Sequence, residues 1–125
     1  MSAKLHAFLA DWRRVLLASV RAPMPDLTNR QMAVLLTVYL TDPPHTVRAL
    51  ARLLGVHKPV ITRALDRLSR HGLLRRQRDP ADRRSVLIQR TVKGAVFLSE
   101  FYDIARAALA EDAPQEKPAD KEQEG

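Results

Sequence analysis

Apolar side chains recur at helical spacing in five stretches of this 125-residue chain, and the polar residues between them mark where each helix begins and ends. In the first stretch, Leu5, Phe8, Leu9, Trp12, Leu16 and Val20 predict a structural helix that packs along one side. In the second, Thr28 and Gln31 form a T-x-x-Q capping box ahead of "MAVLLTVYL". A helix should therefore open near Asn29 and stop before the prolines of "TDPP". A third, short helix is expected behind Thr46, with Leu50, Leu53 and Leu54 as its apolar stripe and Gly55 as a left-handed stop. Only Gly55 to His57 separate it from the fourth pattern, "KPVITRALDRLSRHG", which carries Pro59 in its first turn and ends at Gly72.

Along that fourth helix, 58–71, Val60, Ile61, Ala64, Leu65 and Leu68 share one face. The opposite arc holds Pro59, Thr62, Arg63, Asp66 and Arg70, with Lys58 and Arg67 at its edges. It is a polar, mostly basic face that a core does not need. The period then changes. Two short antiparallel strands, Leu73 to Gln77 and Ser85 to Arg90, are expected around "RDPAD", where Pro80 fixes its own φ and Asp79 can bond the backbone just ahead. Arg75 and Arg76 then point to opposite faces of a strand. Thr91 can cap a last helix, "VKGAVFLSEFYDIARAALA", whose apolar residues cover more than one side. Such a helix needs two packing partners, its own domain and, most economically, a second copy of the chain. The predicted dimer contacts are Phe8, Trp12, Leu16, Phe101 and Leu109.

Charge narrows the partner. The formal net charge is +7, but from Glu111 onward six acids face two lysines, so the preceding 110 residues carry 19 basic and 8 acidic side chains. A body at +11 with an acidic tail suits a polyanion, either nucleic acid or an anionic membrane. No apolar run approaches a membrane span, which leaves a cytoplasmic protein as the expectation. The absence of cysteine removes disulfides, thiol redox sensing and any cysteine zinc site. The first 23 residues are amphipathic and arginine-bearing like a mitochondrial presequence, but Asp11 argues against that reading. His6, His45, His57 and His71 show no ligand spacing, so neither metal nor cofactor is expected. There is no glycine-rich phosphate loop, no nucleophile elbow and no histidine beside a carboxylate pair, and an enzyme is not expected.

The predicted class is mainly α with a small β-hairpin: a winged helix-turn-helix with N- and C-terminal dimerisation helices. Residues 1–22 form the first dimerisation helix, 27–90 the DNA-binding domain, 91–112 the second dimerisation helix and 113–125 a disordered acidic tail. A duplex offers a major groove wide enough for one helix and a narrow minor groove whose negative potential attracts an inserted arginine. The 58–71 helix suits the first, with His57, Lys58, Pro59, Thr62, Arg63, Arg67 and Arg70 as its DNA-side residues. The arginine-tipped wing suits the second.

In "LTNRQMAVL", "VRALARLLGVHKPVITRALDRLSRHGLLRR", "RDPADRRSVLI" and "RTVKG", the chain from about Leu27 to Leu98 resembles the multiple-antibiotic-resistance regulators (MarR), dimeric winged-helix transcription factors. The resemblance implies that Arg84 enters the minor groove, that Asp82 holds it, and that Arg78 and Arg83 meet phosphates. It also implies a homodimeric repressor on an inverted-repeat site of double-stranded DNA. Two features depart from that pattern. The chain turns acidic and proline-bearing after about Ala110, where such proteins continue as helix, so a small-molecule effector stays unassigned; the peroxide-sensing thiol is absent. Asp66 reads as an ion-pair partner of Arg63, Arg67 or Arg70. The rival function is a winged-helix adaptor for protein contact, replication or partition without strong base readout. RNA binding ranks third, because no aromatic platform exists for stacked bases.

Overall fold

The computed structural model describes residues 1–110, in the order α1 (Ala3–Arg21), α2 (Asn29–Leu40), α3 (Val47–Leu54), α4 (Lys58–Arg70), β1 (Leu74–Arg78), β2 (Val86–Arg90) and α5 (Val92–Ala110). The acidic tail expected over 113–125, and the last two residues of the expected segment 91–112, lie outside the described residues. The chain divides into two compact units, Pro25–Leu98 and a second one made of Met1–Met24 with 99–110. The division falls inside α5.

Helix ends in the larger unit follow from local chemistry. Thr28 Oγ1 accepts the Gln31 amide (3.1 Å) while Gln31 Oε1 accepts the Thr28 amide (2.9 Å), which is the reciprocal capping box expected. Thr46 Oγ1 accepts the Ala49 amide, and Thr91 Oγ1 accepts the Gly94 amide. Gly55 and Gly72 adopt φ of 69° and 75°, so each turns the chain out of a helix in the left-handed region. At the second turn Gly72 N donates to Ser69 O and Leu73 N donates to Leu68 O, both 2.9 Å. Those bonds explain a shift from expectation: Leu73 is committed to ending α4, so β1 starts at Leu74 and runs to Arg78. Ser85 is likewise used in the turn, donating to Asp82 O and accepting from Asp79 N, so β2 starts at Val86.

The core of this unit joins Val34, Leu35 and Val38 of α2 with Leu50 and Ala51 of α3, and with Ile61, Ala64, Leu65 and Leu68 of α4. Leu73, Leu74, Ile88 and Phe97 complete it. Leu53, expected in the stripe of α3, is 65% exposed instead. An eight-residue helix presents one narrow face to its neighbours, and here that face centres on Leu50 and Ala51. The hairpin pairs Leu74 with Arg90 through Arg78 with Val86. A bridge from Thr46 to Leu87 and a bond from Ile88 N to His45 O fasten its return strand to the loop before α3.

Two tethers join distant segments. Arg90 of β2 donates Nε to Val38 O and Nη2 to Thr41 O, supplying a cation to the C-terminus of α2, which has none of its own in its last turn. The Tyr39 hydroxyl donates to Leu73 O (2.7 Å) and accepts from Thr91 N (2.9 Å), so α2 holds both the exit of α4 and the entry of α5. Gly94 makes this possible: a Cβ there would overlap the Tyr39 hydroxyl and the Leu73 carbonyl, and would stand 2.7 Å from Tyr39 Cζ.

In the smaller unit Val15 and Ala108 are buried, while Leu5, Phe8, Leu9, Trp12, Leu16 and Leu109 stay exposed, Phe8 at 65%. Phe101 is half-buried within the chain. Among the described residues no helix is long and apolar enough to cross a membrane.

Gly94→Ala should cost about 3 kcal/mol or more, because backbone and a bonded hydroxyl must move aside. Gly55→Ala meets nothing within 4 Å, so it should cost only the left-handed penalty of about 1–2 kcal/mol. Urea-unfolding midpoints check this; an equal or smaller loss at Gly94 contradicts the close-approach account.

Candidate nucleic-acid interface

The polar face of α4 is built by exclusion. Ile61, Ala64, Leu65 and Leu68 turn inward, and helical geometry then leaves His57, Lys58, Pro59, Thr62, Arg63, Arg67 and Arg70 facing out; all seven are exposed. Arg67 donates Nε to His71 Nε2 at 3.1 Å. Lys58, Arg63 and Arg70 make no hydrogen bond or ion pair among the described residues.

Asp66 corrects one expectation. Its partner is not an arginine of its own helix but Arg76 of β1, Nη1 to Oδ1 at 2.7 Å. The strand brings Arg76 over the edge of α4, while Arg75, on the opposite face, donates to Gln89 Oε1 at 2.7 Å. The alternation of strand side chains was legible, but which face met α4 depended on how the hairpin folds back. The ion pair thus links the wing to the helix.

At the wing tip two aspartates act on the backbone ahead of them. Asp79 Oδ1 accepts the Ala81 amide at 2.9 Å, and Asp82 Oδ1 accepts the Arg84 amide at 3.1 Å. Arg78 Nη1 donates to Arg83 O at 2.7 Å, so one of its N–H groups staples the tip. Arg84 projects from this framework with its side chain 94% exposed, its Nε 3.8 Å from Asp82 Oδ1. That distance is too long for a hydrogen bond. Asp82 therefore orients Arg84 chiefly through the main chain.

A MarR family model matches residues 27–86, a span that contains α2, α3, α4, β1 and the wing tip. Over those residues the chain is a MarR-type winged helix. Three solved structures set the context. YusO from Bacillus subtilis superposes with a TM-score of 0.71 at 20% identity, over 90% of this chain and 77% of that one. The transcriptional regulator Tm0710 from Thermotoga maritima gives 0.65 at 27% identity, over 86% and 72%. The transcriptional repressor CouR, bound to a 23-mer DNA duplex, gives 0.66 at 28% identity, over 87% and 74%. As a MarR winged helix, the chain is a DNA-binding transcriptional regulator and not an enzyme.

Among the described residues no group of three histidines or acids comes together that could hold a metal. One cation escaped the sequence reading. Arg30, in the first turn of α2, lines a groove with Arg63 of α4. Its place inside the capping box "TNRQ" drew attention to the helix start and not to the face it shares with α4.

The wing geometry separates charge from orientation. Asp82→Asn keeps the Oδ1 acceptor for the Arg84 amide and removes a negative charge, so it should bind a duplex at least as tightly as the parent. Asp82→Ala loses the clasp and should bind more weakly despite the same charge change. Arg84→Ala should make the log–log salt slope shallower by about 0.9. Titrations across salt read all three; tighter binding by Asp82→Ala contradicts an oriented arginine.

Proposed function

We propose that this MarR protein is a cytoplasmic, homodimeric repressor that binds double-stranded DNA in a sequence-specific way, with α4 in the major groove and the wing, 77–85, along the minor groove. The observation that carries this reading is the outer face of α4: exposed cations without partners among the described residues, beside a hydroxyl, Thr62, that the core does not use. An α-helix with its side chains is roughly 10–12 Å across, close to the roughly 12 Å width of the major groove. The wing then lies beside it with Arg84 outermost, where a narrow groove concentrates negative potential. Arg78, Arg83, Lys58, Arg67 and Arg70 are suited to phosphates and Thr62 to a base edge. CouR on its duplex supports the same use of the shared fold.

Dimerisation supplies affinity and symmetry. Phe8, Trp12, Leu16 and Leu109 expose an apolar surface in the single chain, which a solitary protein rarely carries and a second copy would cover. Residues 1–22 and the helix from 91 onward serve as the dimerisation elements. Two-fold symmetry then implies an inverted repeat with half-sites about one helical turn, roughly 10 bp, apart.

Sedimentation at micromolar concentration should give a dimer, and footprinting of selected duplexes should show paired half-sites with that spacing. Trp12→Ala with Phe8→Ala should shift the protein toward monomer and lose the paired footprint. A stable parent monomer protecting a single, unpaired site would contradict the proposal.

A further inference from the structure

α4 has two edges, and the structure furnishes each with arginine. On one, Asp66 meets Arg76 of the wing. On the other lies a groove of about 210 Å³ between the start of α2 and α4, lined by Thr28, Arg30 and Gln31 from the first helix and by Val60, Arg63 and Ala64 from the second. The side-chain oxygens of Thr28 and Gln31 already hold the capping box, and among the described residues no carboxylate lines the space. Arg30 and Arg63 have neither hydrogen bond nor ion pair among the described residues. Two guanidinium groups from different helices thus border one groove, and no described residue neutralises them.

We propose that this groove seats a backbone phosphate of the DNA strand that walls the major groove on the side away from the wing, with Arg30 and Arg63 as its two cations. The inference rests on the placement of α4 proposed above. A helix that nearly fills the groove brings whatever flanks it against the sugar–phosphate ridges, not the bases. The flank opposite the wing is the start of α2. A groove of about 210 Å³ is far above the roughly 10–15 Å³ that admits one water, which leaves room for the exposed oxygens of one phosphodiester. A guanidinium fork matches such an oxyanion in shape as well as charge. Arg63 then stands at the wall of the groove, which leaves base reading to other side chains of the arc, Pro59 and Thr62 among them. Arg30 carries no sequence information and contributes on any duplex.

The test uses the full chain on a selected duplex and on a scrambled one. Arg30→Ala should weaken binding to both by the same factor, several-fold, and make the salt slope shallower by about 0.9. Arg30→Lys should recover the slope but only part of the affinity. Duplexes carrying one neutral methylphosphonate at successive positions should include one position that weakens the parent and leaves Arg30→Ala unaffected. An unchanged affinity and slope in Arg30→Ala overturns the proposal. So does a loss confined to the selected duplex, which would make Arg30 a base reader. Stabilisation of the free protein by inorganic phosphate that Arg30→Ala abolishes, with DNA binding unchanged, would instead assign the groove to a free anion and also overturn it. Equal unfolding midpoints for parent and variant confirm that the exposed substitution leaves the fold intact. The outcome is separable from the function itself: a parent with no sequence preference refutes specific readout, while the Arg30 comparison still reads out on any duplex.

Discussion

The Tyr39 hydroxyl is the point on which this winged helix depends. It donates to the carbonyl of Leu73, the first residue beyond the turn that ends α4, and accepts from the amide of Thr91, the cap of α5. Leaving such a group buried and unpaired costs about 1–3 kcal/mol, so the contact demands that three chain segments arrive together. Gly94 is the steric consequence, since only a residue without Cβ lets α5 come this close. Arg90 adds its guanidinium to the end of α2 from the neighbouring position and lies 5.9 Å from the centre of the Tyr39 ring. The exit of α4, the return strand of the wing and the entry of α5 therefore share one anchor on α2. Helix α4 and the wing are held as one piece.

With that anchor in place, the DNA face needs few further specifications. The core takes one side of α4 and leaves the other polar. The Asp66–Arg76 ion pair, partly exposed at both ends, contributes little to stability, since such pairs are worth about 0–1 kcal/mol. Its consequence is geometric: it marks where β1 meets the edge of α4. The aspartates of the wing work in the same way, giving their oxygens to backbone amides and leaving Arg84 to reach outward. Acids in a surface proposed to meet DNA cost electrostatic attraction, and here Asp79 and Asp82 each have a structural use that offsets it.

The sequence made local features legible and hid non-local ones. Thr28, Thr46, Gly55, Gly72 and Thr91 announce helix ends because a cap or a left-handed turn is decided within four or five residues. The outward set on α4 was legible for the same reason, as helical period alone separates it from Ile61, Leu65 and Leu68. What could not be read were meetings between segments far apart in the chain: Arg76 with Asp66, Arg90 with the end of α2, Tyr39 with Thr91, and Arg30 across from Arg63. Leu53 failed in the opposite sense. Its spacing suits a stripe, but only packing decides which arc of a short helix is covered. The one-residue shift of β1 has a similar cause, because Leu73 could have served either the strand or the turn and the turn took it.

The central claim is that α4 and the wing read a particular base sequence, and are not merely a basic surface. Competition titration tests it most directly, setting a duplex selected from a random pool against its scrambled counterpart at fixed, physiological salt. The account predicts a preference of about a thousandfold or more for the selected duplex. Equal affinity for the two would contradict it, leaving a winged helix that holds DNA by charge alone.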